Sequence, residues 1–504
     1  MRCSDSTVLS RRGYLALIGA VVLYALSLGV GPAAGQASHA PTEVQRPALQ
    51  TGSAARFNED WSVLKGVDLS TTDDFWDRFK FIPLTPDESV WLSLGGQVRE
   101  RAEYFRHFLF GASTPEDTDA YLLSRFRLNA DLHVTRYFRV FAEGKSAFAL
   151  DRDLEGGRTT GFVDEFDLFN GFMDIMIPLG ERASVTLRGG RQELLFGSQR
   201  LVGPGDFSNV PKTFDGAAAY VRVSDWIITP FWAMAVPIVH KYRFNESTID
   251  QQFLGVFATR PTASAGRTPA SGTDRPLYGE VDLYWLGVNN ASATFNGTSG
   301  REIRHTLGAR TAGKIGQTDL DFDVEAAGQF GSIGSHDIAA GMVTAVLGYT
   351  PPVPWLARVY VEFDYASGDR RPGGTVNTFN QLFPDTHSFL GYIDDIGRQN
   401  VISPSGGVVL APMRNLTLTV QQYFFWRASD RDGVYNKAGA VFRPGTTTAA
   451  RYFGAETDFL ATYNLTRHLQ LYSGYSFFSA GDFFHKTGPH KDSHFLYMAV
   501  EYTF

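Results

Sequence analysis

From about residue 90 to the last residue, the chain repeats long stretches in which apolar and polar side chains alternate one by one. In 121–134, Leu122, Phe126, Leu128, Ala130, Leu132 and Val134 share one parity, while Arg125, Arg127, Asn129, Asp131 and His133 share the other. In 318–330, Leu320, Phe322, Val324, Ala326 and Phe330 oppose Asp319, Asp321, Asp323, Glu325 and Gln329. In 355–366, Trp355, Val359, Val361 and Phe363 oppose Arg358, Tyr360, Glu362 and Asp364. Successive residues of a strand point to opposite faces, so each stretch is a strand with one greasy and one ionic face. About sixteen such stretches are visible, many of them 10–13 residues long. Globular strands average about 5–6 residues, whereas a tilted strand crossing a bilayer needs about 9–11.

A sandwich also alternates, but it buries the apolar parity and wets the other. Here the polar parity carries Arg and Asp together, which suits a charged, water-filled lumen with the apolar parity turned to lipid. The fold class is therefore all-β, an antiparallel transmembrane β-barrel with short periplasmic turns and long extracellular loops. Aromatics near segment ends (Phe138, Trp226, Phe231, Trp232, Trp355, Phe424, Phe425, Trp426 and Tyr502) are expected to form interfacial girdles. The long connections 240–277 and 367–413 are rich in Gly, Pro, Ser, Thr and Asn. The second, with Asp385, Asp394, Asp395 and Arg398, is expected to cover the outer mouth rather than fold inward.

Arg11 and Arg12 precede an apolar run from Tyr14 to Val30 and then small residues, the pattern of a secretory signal peptide over residues 1–40. Ser10-Arg11-Arg12-Gly13 also resembles a twin-arginine signal, although no cofactor motif follows it. That run is the single apolar stretch of membrane-helix length, so several membrane helices are excluded. The one cysteine, Cys3, lies within the signal, which excludes a disulfide scaffold. Residues 41–88 are expected to form a periplasmic segment, plug or linker, and residues 89–504 the barrel. The formal net charge of -7 speaks against a nucleic-acid partner. Acidic pairs such as Asp151 and Asp153 belong to solvated loops, as does the trio His485, His490 and His494. No phosphate loop, zinc helix or nucleophile elbow is present, so no cofactor and no enzymatic activity are expected.

An arginine guanidinium stays charged and forks onto carboxylates. By parity Arg99, Arg101, Arg125, Arg127 and Arg188 face inward, as do Arg358 and Asp364. Arg191 breaks the parity of Val185 and Leu187, and a bulge at Gly189-Gly190 would re-aim it. These arginines either favour anions in the lumen or pair with acids such as Asp131, Glu143 and Asp174 to brace the wall.

Several stretches resemble the alginate-export family of outer-membrane channels. They are Asn58-Glu59-Asp60-Trp61, Phe79-Lys80-Phe81-Ile82-Pro83-Leu84, Leu92-Ser93-Leu94-Gly95-Gly96, and Arg99-Glu100-Arg101 with Glu103. Tyr121-Leu122-Leu123 with Arg125 and Arg127 follows. More specific are Gly190-Arg191-Gln192-Glu193-Leu194, Gly197-Ser198-Gln199-Arg200-Leu201, Asn209 and Phe214-Asp215-Gly216. Gly368-Asp369-Arg370 and Phe425-Trp426-Arg427 are looser matches. The resemblance implies about eighteen strands, two of them inside the long connections, and passive passage of an anionic polysaccharide such as alginate or of small organic acids. Phe504, closing an amphipathic last strand, looks like the terminal signature of bacterial outer-membrane proteins; it implies the outer-membrane lipid and the barrel-assembly machinery as partners. The alternative is an exported soluble β-protein that binds or hydrolyses carbohydrate.

Overall fold

Each alternating stretch is a strand in the computed structural model, which describes residues 55–262 and 279–504. The signal peptide expected over 1–40 lies outside the described residues. Eighteen strands form the wall. They are β1 (Val90–Arg106), β2 (Thr118–Val134), β3 (Phe138–Leu150), β4 (Asp164–Pro178), β5 (Ala183–Gln192), β6 (Phe214–Val223), β7 (Trp226–Ala235), β8 (Gln251–Thr262) and β9 (Gly279–Phe295). The circuit continues with β10 (Thr298–Lys314), β11 (Leu320–Ile333), β12 (His336–Tyr349), β13 (Leu356–Ala366), β14 (Val401–Met413), β15 (Leu416–Arg427), β16 (Tyr452–Asn464), β17 (Leu469–Ala480) and β18 (Ser493–Thr503). Every neighbour pairs antiparallel, and β1 closes the ring on β18 from Gln97↔Thr503 to Arg106↔His494. Closure removes the unpaired sheet edges that lipid does not tolerate.

The apolar parity faces out. Leu128 is 66% exposed, Val361 60% and Met498 59%, whereas Arg125, on the opposite parity of the strand that carries Leu128, is 0% exposed. Exposed apolar side chains on every face of a closed ring are the lipid belt of a membrane barrel. This overturns the soluble alternative, which needs those side chains packed inside. Two of the expected girdle aromatics go the other way: Phe231 and Phe425 are buried and join an interior aromatic cluster with Phe253, Phe453 and Phe478. Trp232, Trp355 and Phe424 remain exposed on the outer face.

The two strands beyond the sixteen legible ones are β8 and β14, inside the two long connections. Along β14, Pro404 lacks a donor, and Ser403, Ser405, Gly406 and Gly407 leave no apolar alternation. Gly407 is small because the Tyr360 ring lies across it: a Cβ there would sit 2.7 Å from that ring. Connections on the side of the chain ends are short, as at Ser224-Asp225 and Arg414-Asn415, except for 263–278, which lies outside the described residues. Most connections on the opposite side are longer, but Asn296-Gly297 and Gly334-Ser335 there are tight hairpins.

Candidate functional site

The inner wall of β1 and β2 is a ladder of arginines. Arg99, Arg101, Arg125 and Arg127 are each at most 2% exposed, and Arg99 stands directly opposite Arg125 in the register. Like charges at that spacing repel unless something neutralises them. The β5–β6 connection, residues 193–213, supplies the neutralising groups by folding into the barrel. Asp206 reaches Arg125 at 3.1 Å and Arg127 at 3.3 Å. Its backbone carbonyl accepts from Arg99 at 2.9 Å and from Arg125 at 2.8 Å. The Phe207 carbonyl accepts from Arg101 at 2.5 Å, and the Arg101 guanidinium lies 3.7 Å over the Phe207 ring. From the wall itself, Glu103 takes Arg101 and Glu143 takes Arg127 in a two-pronged contact of 2.8 and 3.1 Å. Burial raises the Asp206 carboxyl, but Arg125, Arg127 and Arg99 outweigh it and hold it at about 2. Burial pushes Glu193, at the root of the same connection, up to about 8 against the pull of Arg127. The guanidinium groups then face the carboxylates of Glu103, Glu143 and Asp206, with Glu193 held protonated at pH 7 and Glu501 opposite Arg99 across the β1–β18 pair.

The remaining expected residues form separate ion pairs. Arg188 donates to Asp174 at 2.7 and 2.8 Å and stacks 3.7 Å over Phe172. Arg191 donates to Asp215 at 2.7 and 3.0 Å and to the Asn245 carbonyl at 2.8 Å. Arg358 pairs with Asp321 towards the short-turn side. Asp364 pairs with Arg398 and accepts from Thr344 at 2.6 Å. Asp131 takes Arg139 rather than a residue of the ladder. The bulge expected at Gly189-Gly190 is not there: β5 runs in unbroken register through both glycines. A left-handed φ of 131° at Gly190 turns the chain instead, and a Cβ there would lie 2.3 Å from the Gly171 carbonyl. The register shifts sit in the neighbouring β3–β4 pair, between Glu143/Gly144 and between Lys145/Ala147.

The β13–β14 connection, residues 367–400, also folds inward, which corrects the expectation that it covers the mouth. The physical reason is apolar: Phe379, Leu390, Ile393 and Ile396 are at most 3% exposed and need an interior to enter. Inside the barrel the two connections bind each other. Val202 bridges Phe383 in parallel, Gly203 N donates to the Phe383 carbonyl at 2.8 Å, and Asp385 N donates to the Gln199 carbonyl at 3.0 Å. The His387 ring stacks on Phe207 and lies 3.3 Å from Asp394. Arg200 crosses to the far wall, reaching Asp323 and Glu325 at 3.2 Å each. Asp206, Phe207, Arg200 and Arg398 thus tie the inward loops to the wall, yet parity along strands has no power over residues in loops. The family-like stretch Gly197–Leu201 and Asn209 marked the region without giving its role.

At the short-turn mouth the N-terminal segment enters the lumen. Phe57 sits edge-on to Phe141 and Phe172, with ring centroids 5.9 and 5.4 Å apart, and its carbonyl accepts from Arg139 at 2.7 Å. Arg56 donates to the carbonyls of Gly96 at 3.2 Å and Phe504 at 2.7 Å. Further along, Trp76 wraps the rim to the outer face, stacking on Phe504 at 4.2 Å and donating to the Tyr502 hydroxyl at 2.7 Å. Burial, helped by Arg56, lowers the Lys80 ammonium to about 7. Among the described residues no group of three His, Cys, Asp or Glu is arranged to hold a metal ion.

A closed eighteen-strand cylinder with a lipid-facing exterior, an ionic interior and inward loops is an outer-membrane β-barrel of the porin type. The profile of the family described as alginate export matches residues 90–497, and the chain belongs to that family. Solved structures with the same fold are porins of Pseudomonas aeruginosa. OpdK with vanillate is 12% identical, with a TM-score of 0.52 over 82% of this chain and 98% of that one. OccK9 (OpdG) is 10% identical, with a TM-score of 0.53 over 82% and 98%. OccK2 (OpdF) in complex with glucuronate is 10% identical, with a TM-score of 0.50 over 81% and 97%. Among curated proteins no sequence matches this chain. The protein is located in the outer membrane, where the short turns lie on the periplasmic side and the longer loops outside.

Proposed function

We propose that the protein is a passive channel for anionic solutes, either small organic acids or the uronate units of a polysaccharide such as alginate. The observation that carries this is the ladder: four buried arginines stand on the inward parity of β1 and β2, held in place by a loop that folds into the barrel. A ring of guanidinium groups in a narrow, water-filled passage with low-dielectric walls lowers the barrier to an entering anion. Because each guanidinium is already engaged, an anion meets a diffuse field and exchangeable hydrogen bonds rather than one tight site, which conduction requires. Two porins with the same fold have been solved with vanillate and with glucuronate, both carboxylates, which supports this class of cargo. The arginines of the ladder are the pore-facing residues in this reading, with Arg188, Arg191 and Arg358 holding the wall. The test is reconstitution in planar bilayers across a KCl gradient. A reversal potential reporting anion preference, and current reduced by glucuronate in a concentration-dependent way, are expected. Cation preference would overturn the proposal.

A further inference from the structure

On the outer face, near the extracellular end of β10, β11 and β12, the wall carries an apolar groove of about 490 Å³. Strand β13 stops at Ala366 and the chain turns inward there, while β12 reaches up to His336. The outer end of β12 therefore has a loop beside it: the Gly341 N–H donates to the Ser367 hydroxyl at 2.9 Å and the Ala339 N–H to the Val376 carbonyl at 3.0 Å. Leu307, Gly328 and Gly341 stand directly opposite one another across β10, β11 and β12. The two glycines form the floor, Leu307 (52% exposed) and Phe330 (48% exposed) one wall, and Tyr365 the other. A Cβ on Gly328 would meet no atom within 4 Å, so the missing side chain leaves open space rather than a close contact. Eight residues separate Tyr349, at the periplasmic end of β12, from Gly341. A tilted strand crosses the hydrocarbon layer in about 9–11 residues, which places the groove in the outer leaflet just below the headgroups. Arg370, beyond the extracellular end of β13, also lines the groove; it is exposed, and among the described residues no carboxylate pairs with it. Asp337, the exposed carboxylate of β12, is outnumbered by Arg370 and the equally exposed Arg371.

We propose that this groove is a binding site for one phosphorylated, acylated glycolipid of the outer leaflet. An acyl chain lies along the Gly328–Gly341 floor between Phe330 and Tyr365, where lipid and not water meets the wall. A headgroup phosphate meets the Arg370 guanidinium, which stays charged and whose planar fork matches phosphate oxygens. Elsewhere on the belt a lipid tail gains little over any other tail, because tails and leucine side chains are equally apolar. The recess changes that by packing one chain on three sides, and the arginine adds a preference for an anionic headgroup. The site lies outside the lumen and does not rest on the anion reading of the ladder.

The experiment is native mass spectrometry of the full-length protein folded in detergent, titrated with lipid A as the probe, so that binding is read independently of conduction. Folding of each variant is checked by the mobility shift between unheated and boiled samples in SDS gels. Saturable binding of one lipid A per chain is expected. Gly328→Leu has room for its side chain, fills the groove and should weaken binding about tenfold. Arg370→Ala should weaken it about fivefold and flatten its salt dependence. Gly189→Leu, the same change at an exposed, open position on β5, should leave it unchanged. Neither phosphatidylcholine, which offers chains without net charge, nor inorganic phosphate, which offers charge without chains, should displace lipid A at equal concentration. Absence of saturable binding by folded protein would overturn the proposal, as would unchanged affinity in folded Gly328→Leu or Arg370→Ala, weakening by Gly189→Leu, or displacement by either competitor.

Discussion

Asp206 is the joint between the arginine wall and the loop that narrows the lumen, and Asp206→Asn isolates its charge while keeping its shape and its backbone carbonyl. Two effects can be worked out. The carboxyl stands at about 2 against an ordinary 3.8, which at 1.36 kcal/mol per unit makes the ionised network worth about 2 kcal/mol to the docked loop. Losing it raises the undocked population roughly 30-fold. The second effect is on the field: the ladder loses one negative charge beside Arg125 and Arg127. One added charge acting on an ion about 4 Å away is worth about 1 kcal/mol in a watery passage, or roughly a fivefold local enrichment of anions before salt screening. The charge effect raises the anion-to-cation permeability ratio from reversal potentials at pH 7 severalfold while the loop is docked, and the larger undocked population shows in single-channel records as more frequent transitions. The pH dependence has a definite sign. Because the folded value is depressed, the stabilisation is complete above the ordinary carboxylate value and is lost as pH falls from about 4 through about 2. The wild type should therefore loosen over that range, and Asp206→Asn should show no such limb. An unchanged reversal potential together with an unchanged acid limb would refute the account of the loop as charge-latched.

Glu193 gives the opposite pH test. Its proton, held up to about 8 by burial, leaves as pH rises, so anion preference should fall between pH 7 and 9, and Glu193→Gln should abolish that fall in reversal-potential titrations. Phe57→Ala removes a buried ring and its edge-on contacts with Phe141 and Phe172, a loss of about 3–5 kcal/mol for docking of the N-terminal segment. Limited proteolysis from the periplasmic side should then cut within residues 55–88 far faster than in the wild type. Met498→Arg places a charge on the lipid face at the middle of β18 and should cost about 2–4 kcal/mol, read as an earlier urea-unfolding midpoint in phospholipid vesicles.

The barrel was legible because lipid and water impose a strict period of two on every strand they separate, and the long stretches around Phe126, Val324 and Val361 obey it. The inward direction of Arg99, Arg101, Arg125 and Arg127 follows from the same rule. Strand β14 escaped it, since a strand whose inward residues are Ser403 and Ser405 and whose middle is Gly406-Gly407 has no amphipathic signature. Arg191 escaped it as well, because the left-handed φ of one glycine breaks the parity without adding a residue.

Alternation along the chain, with Arg and Asp sharing the polar parity, determined which surface meets the membrane and which side chains look inward, because those are properties of single strands in a layered solvent; the closing of the ring is seen in the pairing of β1 with β18. The tertiary structure alone decided what fills the interior. Loops 193–213 and 367–400 carry no periodicity, and their course is set by where buried apolar residues such as Val202, Phe379 and Ile393 find one another and where Asp206 finds two guanidinium groups at once. Such meetings join residues about 80 positions apart in the chain, and no local pattern encodes them.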